Sequence, residues 1–250
     1  MARAAGIRRQ SVARREVHEA TGVSAPLDQV AWFLGVCGIA FLIPFTLASQ
    51  LDLQHDLYYL LYFAITLVVL GGYAYANAID LRGAFVRSWK LSLLVGAASA
   101  AFMVWGVIAR LDSTPHPGGA YFLFEIVWRG AVYGVVDALL LSAFPGVVAW
   151  RLMRQDISGP SRRVTYGAIT LLLVLVVTAT YHYGYDEFRN RSGIANAEVG
   201  NSVISMPVIL SANPLGSVIA HTSMHVTAVT HSYESKDRLP PQTFVDSGED

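Results

Sequence analysis

Three groups of residues place reactive side chains inside otherwise apolar sequence. The first is Phe124-Glu125-Ile126-Val127-Trp128-Arg129-Gly130. Glu125 and Arg129 are four apart, so on a helix they share a face and can neutralise each other. They are either a packing ion pair or a base or ligand with its orienting cation. The second is His182, in Tyr181-His182-Tyr183-Gly184-Tyr185-Asp186-Glu187 at the end of a long apolar run, where Asp186 and Glu187 read as interfacial. The third is His221-Thr222-Ser223-Met224-His225. Two imidazoles at i and i+4 project from one helix face and can hold one metal ion; otherwise they serve as hydrogen-bond partners for other helices. An ionisable group in an apolar span is expensive, which makes each of these a functional candidate. His231 falls on another face, near a helix end. Asp137, Asn201 and Asn213 read as glue between helices. At about 100° per residue, Asp137 stands roughly 80° round from Arg129.

Other chemistries are less well served. Cys37 is the single cysteine, within an apolar run, so one chain can form neither a disulfide nor a cysteine-based metal cluster. No phosphate-binding glycine loop and no serine-centred nucleophile motif is present. Formal net charge is zero, which leaves no global footprint for nucleic acid. Trp32, Trp89, Trp105 and Trp150 read as interface belt or packing.

The elements that must position these residues are long apolar helices. Of 250 residues only 14% are charged, and mean hydropathy is +0.44, against about 25% charged residues in a soluble domain. Segments 30–48, 57–79, 91–109, 164–184 and 215–233 contain no Asp, Glu, Lys or Arg. Segment 120–153 is apolar apart from Glu125, Arg129 and Asp137 until Arg151, and segment 199–213 contains Pro207. About 20 helical residues cross a bilayer core, and runs this long exclude the alternating strands of a barrel. The fold class expected is therefore all-α, a polytopic transmembrane bundle of about seven helices over residues 29–233. A basic arm, 1–28, precedes it, and a tail, 234–250, is expected to be disordered. The lipid bilayer is the expected partner.

Basic residues concentrate before the first helix, at Arg82, Arg87 and Lys90, and at Arg151, Arg154, Arg162 and Arg163. By the positive-inside rule this makes the N-terminus cytoplasmic and, with seven crossings, puts the tail outside. Phe144-Pro145-Gly146 is expected to end or kink the fourth helix, and Asn213-Pro214 to separate the last two.

The order Glu-x-x-x-Arg-Gly, then a lone His closing a later helix, then His-x-x-x-His in a last helix resembles the CPBP (CAAX-type) intramembrane proteases. The likeness covers about residues 122–231, including Trp128-Arg129-Gly130-Ala131-Val132-Tyr133-Gly134. It implies a peptide-bond hydrolase in or beside the membrane, acting on a membrane protein or peptide, with Glu125, Arg129, His182 and His221 as its catalytic set. Glu125, or water activated by a metal ion such as zinc, would supply the nucleophile. Glu125, His182, His221 and His225 would be the ligands, and Arg129 would keep Glu125 ionised. Phe124 stands where the family has its first Glu, Thr178 where it has Phe, and His225 where it has Asn or Asp. Those departures leave open a non-proteolytic metal- or cofactor-binding membrane protein, or an inactive partner-binding one.

Overall fold

The computed structural model describes residues 25–235 and 239–241. Residues 1–24, which carry the five arginines of the basic arm, lie outside the described residues, as do 236–238 and 242–250 of the tail. Among the described residues the fold is all-α, with eight helices. They are α1 (Ala25–Ile43, prolonged by a π-helical stretch Pro44–Gln50), α2 (His55–Ala76), the short α3 (Leu81–Val86), α4 (Trp89–Arg110), α5 (Gly119–Leu152), α6 (Pro160–Tyr183), α7 (Arg191–Ser211) and α8 (Leu215–His231). Five of them, α1, α2, α4, α5 and α6, are long and apolar enough to cross a membrane. This is a membrane protein of the helical-bundle class.

Consecutive long helices run antiparallel, and polar contacts tie their ends into two sets. At one end Ser49 donates to the Gly184 carbonyl at 2.9 Å, Tyr121 to Asp56 at 3.1 Å, and Ser232 to the Asp112 carbonyl at 2.8 Å. At the other, Gln29 donates to Asn77 at 2.7 Å, Asn213 to the Phe85 carbonyl at 2.8 Å, and the Arg87 guanidinium lies 4.6 Å from the Trp150 ring centre. The seven long helices therefore lie side by side, with their ends gathered at two opposite ends of the bundle. The two more polar ones, α7 and α8, turn Asn201, Ser205, Ser217, His221 and His225 inward.

Helix α5 is the hub. In its most apolar 18-residue stretch 72% of the residues are buried, against 28–33% in the corresponding stretches of the other apolar spans. Its neighbours approach closely wherever side chains are missing. An added Cβ at Gly134 would lie 2.6 Å from the Thr222 Cα, and one at Gly130 would lie 3.1 Å from the Val226 Cα. Helix α8 therefore packs backbone against backbone on α5. Its opposite face packs as tightly on α4, where a Cβ on Gly96 would stand 2.4 Å from the Gly216 Cα. Small residues at four-residue spacing are what lets helices associate in lipid, where hydrophobicity supplies no drive.

Two expectations need correction. Pro145 does not end α5, which continues to Leu152. A π-helical stretch, Leu139–Ala143, directly precedes the proline's turn. That stretch already interrupts the i→i−4 ladder where the proline would otherwise remove a bond. The tail is packed in part: residues 239–241 are buried, with Leu239 fully so, because the bundle offers donors for their carbonyls. Helix α7 also begins eight residues before the apolar run that announced it, capped by the Asn190 carboxamide accepting from Gly193 N–H at 2.7 Å.

Gly96→Ala is expected to destabilise the bundle by about 1–3 kcal/mol, because the new methyl meets backbone that cannot yield. On the same helix, Gly106→Ala, with nothing within 4 Å of its Cβ position, should be neutral or stabilising through helix propensity. Thermal unfolding of the two variants in the same detergent distinguishes them, and equal shifts would contradict the packing described.

Candidate metal centre

Helices α5 and α8 bring together Asp137, His221 and His225. One ligand atom from each lies within 4.8 Å of the others, and all three residues are buried. The Asp137 Oδ2 is 3.7 Å from His221 Nε2 and 3.6 Å from His225 Nε2. Those separations are longer than a direct hydrogen bond. They approach the roughly 3.3 Å between ligands that bonds of about 2.0–2.1 Å set in a tetrahedral zinc site. The two imidazole rings are nearly parallel, with centroids 5.1 Å apart, as i and i+4 positions on one face require.

Local sequence explains how Asp137 reaches them. Gly130 and Gly134 draw α8 against α5, and Asp137 lies about one turn further along the same face. The turn Tyr133–Ala138 that bears it is flanked by π-helical stretches, Ile126–Val132 and Leu139–Ala143. Each π-helical residue turns through less than 100°, so the face carrying Asp137 is not where a regular helix would place it. The other carboxylate oxygen, Oδ1, accepts from the Tyr62 hydroxyl on α2.

A cavity of about 60 Å³ adjoins the three residues. Its walls include His182, Tyr133, Asn196, Asn201 and Pro240. One ordered water needs about 10–15 Å³ measured in this way, so the space admits an ion with a few waters. His182 Nδ1–H donates to the Thr178 carbonyl at 2.9 Å, which leaves Nε2 as the basic nitrogen of the ring. Thr178 thus supplies the carbonyl that fixes the His182 tautomer.

Glu125 and Arg129 do not join this centre. Glu125 is 12 residues from Asp137, about three helical turns, and sits near the end of α5. Its Oε2 accepts from Arg129 at 3.0 Å and from Tyr233 at 3.0 Å, and its Oε1 lies 3.8 Å from His55 Nε2. Burial pushes the Tyr233 phenol up to about 12, so it stays protonated and donates. His55, Asp56 and Glu125 form a second group with metal-ligand geometry, but the guanidinium against Glu125 supplies the positive charge that a cation would bring. The structure therefore brings His182, His221 and His225 to one cavity and separates Glu125 and Arg129 from it. Asp137, expected as glue, takes the place expected of Glu125.

Sequence reasoning gave Asp137 only a structural role and passed over His55, Asp56 and Tyr233. A signal for Asp137 was available. Once Glu125 is neutralised by Arg129, the other cation of the helix is Arg151, 14 residues beyond Asp137 and out of its reach, so another helix must answer Asp137.

No family model matches the chain, and neither a curated protein nor a solved structure is detectably similar to it.

Breaking the Glu125–Arg129 pair should be far worse than removing it. Arg129→Met alone leaves a buried carboxylate uncompensated and is expected to cost about 3–5 kcal/mol of stability, whereas the double change with Glu125→Gln should recover most of that. A thermal-unfolding double-mutant cycle checks this, and additive losses would show that the two side chains do not act as a pair.

Proposed function

We propose that this membrane protein holds a divalent cation, zinc by donor type, on Asp137, His221 and His225, and uses it to hydrolyse a peptide bond within the bilayer. The observation carrying the proposal is the meeting of one carboxylate and two imidazoles from two helices beside a small water-sized cavity. Three protein ligands with a position left open is the pattern of a catalytic zinc. Bound there, the ion acts as a Lewis acid and lowers the pKa of water.

The protein's own groups divide the remaining work. Tyr62 orients the Asp137 carboxylate through Oδ1, leaving Oδ2 toward the imidazoles. His182, on the facing wall, is placed to accept or return a proton at Nε2. The peptide-bond assignment draws on the resemblance to the CPBP proteases, with one change of roles. In that pattern the acidic member is Glu125; here the acid beside the imidazoles is Asp137, and Glu125 serves packing. A protein that only binds a partner would have no need to gather these donors around a cavity.

The orientation belongs to the same reading. Arg82, Arg87, Lys90, Arg151, Arg154, Arg162 and Arg163 all lie at the end of the bundle that carries α3, which supports a cytoplasmic position for that end by the positive-inside rule. With seven crossings, residue 235 is outside.

Two measurements test these statements. Protein purified in mild detergent should contain about one zinc per chain, as expected of a three-ligand site, by elemental analysis. Asp137→Asn and His225→Ala should lose it and lose cleavage of a quenched membrane peptide, while Glu125→Gln keeps its metal. Wild-type protein that neither carries nor rebinds zinc would overturn the assignment. For orientation, a cysteine at exposed Ser158 should react with an impermeant maleimide only from the cytoplasmic side, and one at exposed Ser192 only from the outside; the reverse pattern would invert the topology.

A further inference from the structure

Residues 239–241 return into the bundle between the two polar clusters. Leu239 is fully buried in the apolar pocket formed with Met103, Val107, Met224 and Val229. Its carbonyl accepts from the Arg129 guanidinium at 3.4 Å. The next carbonyl, of Pro240, accepts from the Tyr59 hydroxyl at 2.9 Å, and Pro240 then forms part of the wall of the cavity containing Asp137, His221 and His225. A polypeptide entering a bundle interior must satisfy its backbone there. Pro240 and Pro241 carry no N–H, and the Leu239 N–H is answered by the Ser235 carbonyl at 3.0 Å. What remains is a row of carbonyl acceptors, met by two donors that are themselves 0% and 1% exposed.

We infer that Tyr59 and Arg129 form a subsite for the carbonyls of a peptide segment with a bulky aliphatic side chain, and that the chain's own residues 239–241 occupy it. The inference deepens the hydrolase reading and rests on it for the chemistry, but not for the binding. Three features define the ligand class. The apolar pocket takes an aliphatic residue; the two fixed donors take successive carbonyls; and the residue after the aliphatic one, a proline here, brings no N–H that would need an acceptor. Such a segment borders the cavity beside Asp137, His221 and His225 through Pro240, and the native tail competes for the subsite with any peptide from outside. Arg129 thereby acquires a second role: neutralised by Glu125 through one nitrogen, it presents another to the peptide.

The test uses the full chain in detergent and, as probe, a fluorescent peptide of the sequence of residues 235–242, followed by anisotropy. Wild-type protein should bind it weakly. Leu239→Lys, which puts a charge into the apolar pocket and beside Arg129, should unseat the tail and tighten probe binding. A tail seated nine times in ten lowers apparent affinity about tenfold, and that factor should be regained. Adding Tyr59→Phe should then weaken binding roughly fivefold to tenfold, as loss of one hydrogen bond does. Leu239→Ala, which adds no charge, should shift affinity in the same direction as Leu239→Lys and covers the case in which the lysine prevents folding. The inference is overturned by an affinity unchanged in both Leu239 variants, or by a Tyr59→Phe change without effect. The same titrations on Asp137→Asn protein separate this subsite from the metal reading: probe binding should persist there although the metal is gone, and a metal-free wild-type protein would leave the subsite standing.

Discussion

A carboxylate in the middle of a bilayer-crossing helix has to be answered by a neighbouring helix, since lipid offers it nothing. Asp137 is that carboxylate, and much of the architecture follows from it. Helix α5 bears Glu125, Arg129 and Asp137, and it is the most enclosed of the apolar spans. The helices around it divide by what they supply. Helices α2 and α6 bring hydroxyls, through Tyr62 and Tyr181; α8 brings imidazoles; α1 and α4 bring mostly apolar surface. The polar helices α7 and α8 are tolerated because their polar faces turn inward to these groups and not toward lipid.

Close approach is the second condition. An imidazole extends only a few ångströms from its helix axis, so α8 must sit very near α5 for both His221 and His225 to reach one oxygen. Gly130 and Gly134 permit that approach on one side of α8, and Gly96 against Gly216 fixes it on the other. Helix α8 is thus wedged between α5 and α4 by glycines on both faces. The stretch Arg129-Gly130-Ala131-Val132-Tyr133-Gly134 has a mechanical meaning that does not depend on any likeness to a family. Its glycines are the contact surface for the helix with the two histidines.

Much of this was legible in residue types, and the part that was not has an identifiable cause. Long uncharged runs are unambiguous about membrane helices, and i,i+4 spacing is unambiguous about which side chains share a face. Hence the bundle, the Glu125–Arg129 pair and the shared face of His221 and His225 could be read directly. Angular position along α5 could not, because that reading takes 100° per residue throughout, and seven residues at Ile126–Val132 turn by less. Nothing in the composition of that stretch distinguishes a π-helical turn from an α-helical one; tertiary contact selects it. The same limit hid the start of α7, where residues 191–198 interleave Arg191, Ser192, Asn196 and Glu198 with small and apolar residues and so show no apolar run. It also hid the return of 239–241, since Leu-Pro-Pro in a charged tail reads as solvated until buried donors are known to await it.

The tyrosines around Asp137 complete the logic of the centre. Tyr62 bonds one carboxylate oxygen, and the Tyr133 ring lies 4.4 Å from the His225 ring. Tyr133 in turn pairs with Tyr181, Tyr181 with Tyr185, and Tyr185 with Tyr58, hydroxyl to hydroxyl. Each hydroxyl can donate to the next and accept from the previous one, so the chain satisfies itself without water and without charge. A network of this kind fixes the direction in which Asp137 points and allows little reorientation, because moving one member leaves another unsatisfied in a dry interior. Ligand sets gain affinity and a defined tautomer from such outer partners. The hydroxyls hold one side of the carboxylate, so its remaining oxygen can face only the imidazoles. The geometry of the Asp137, His221 and His225 group is therefore set as much by the tyrosines of α2 and α6 as by the two helices that carry the three residues.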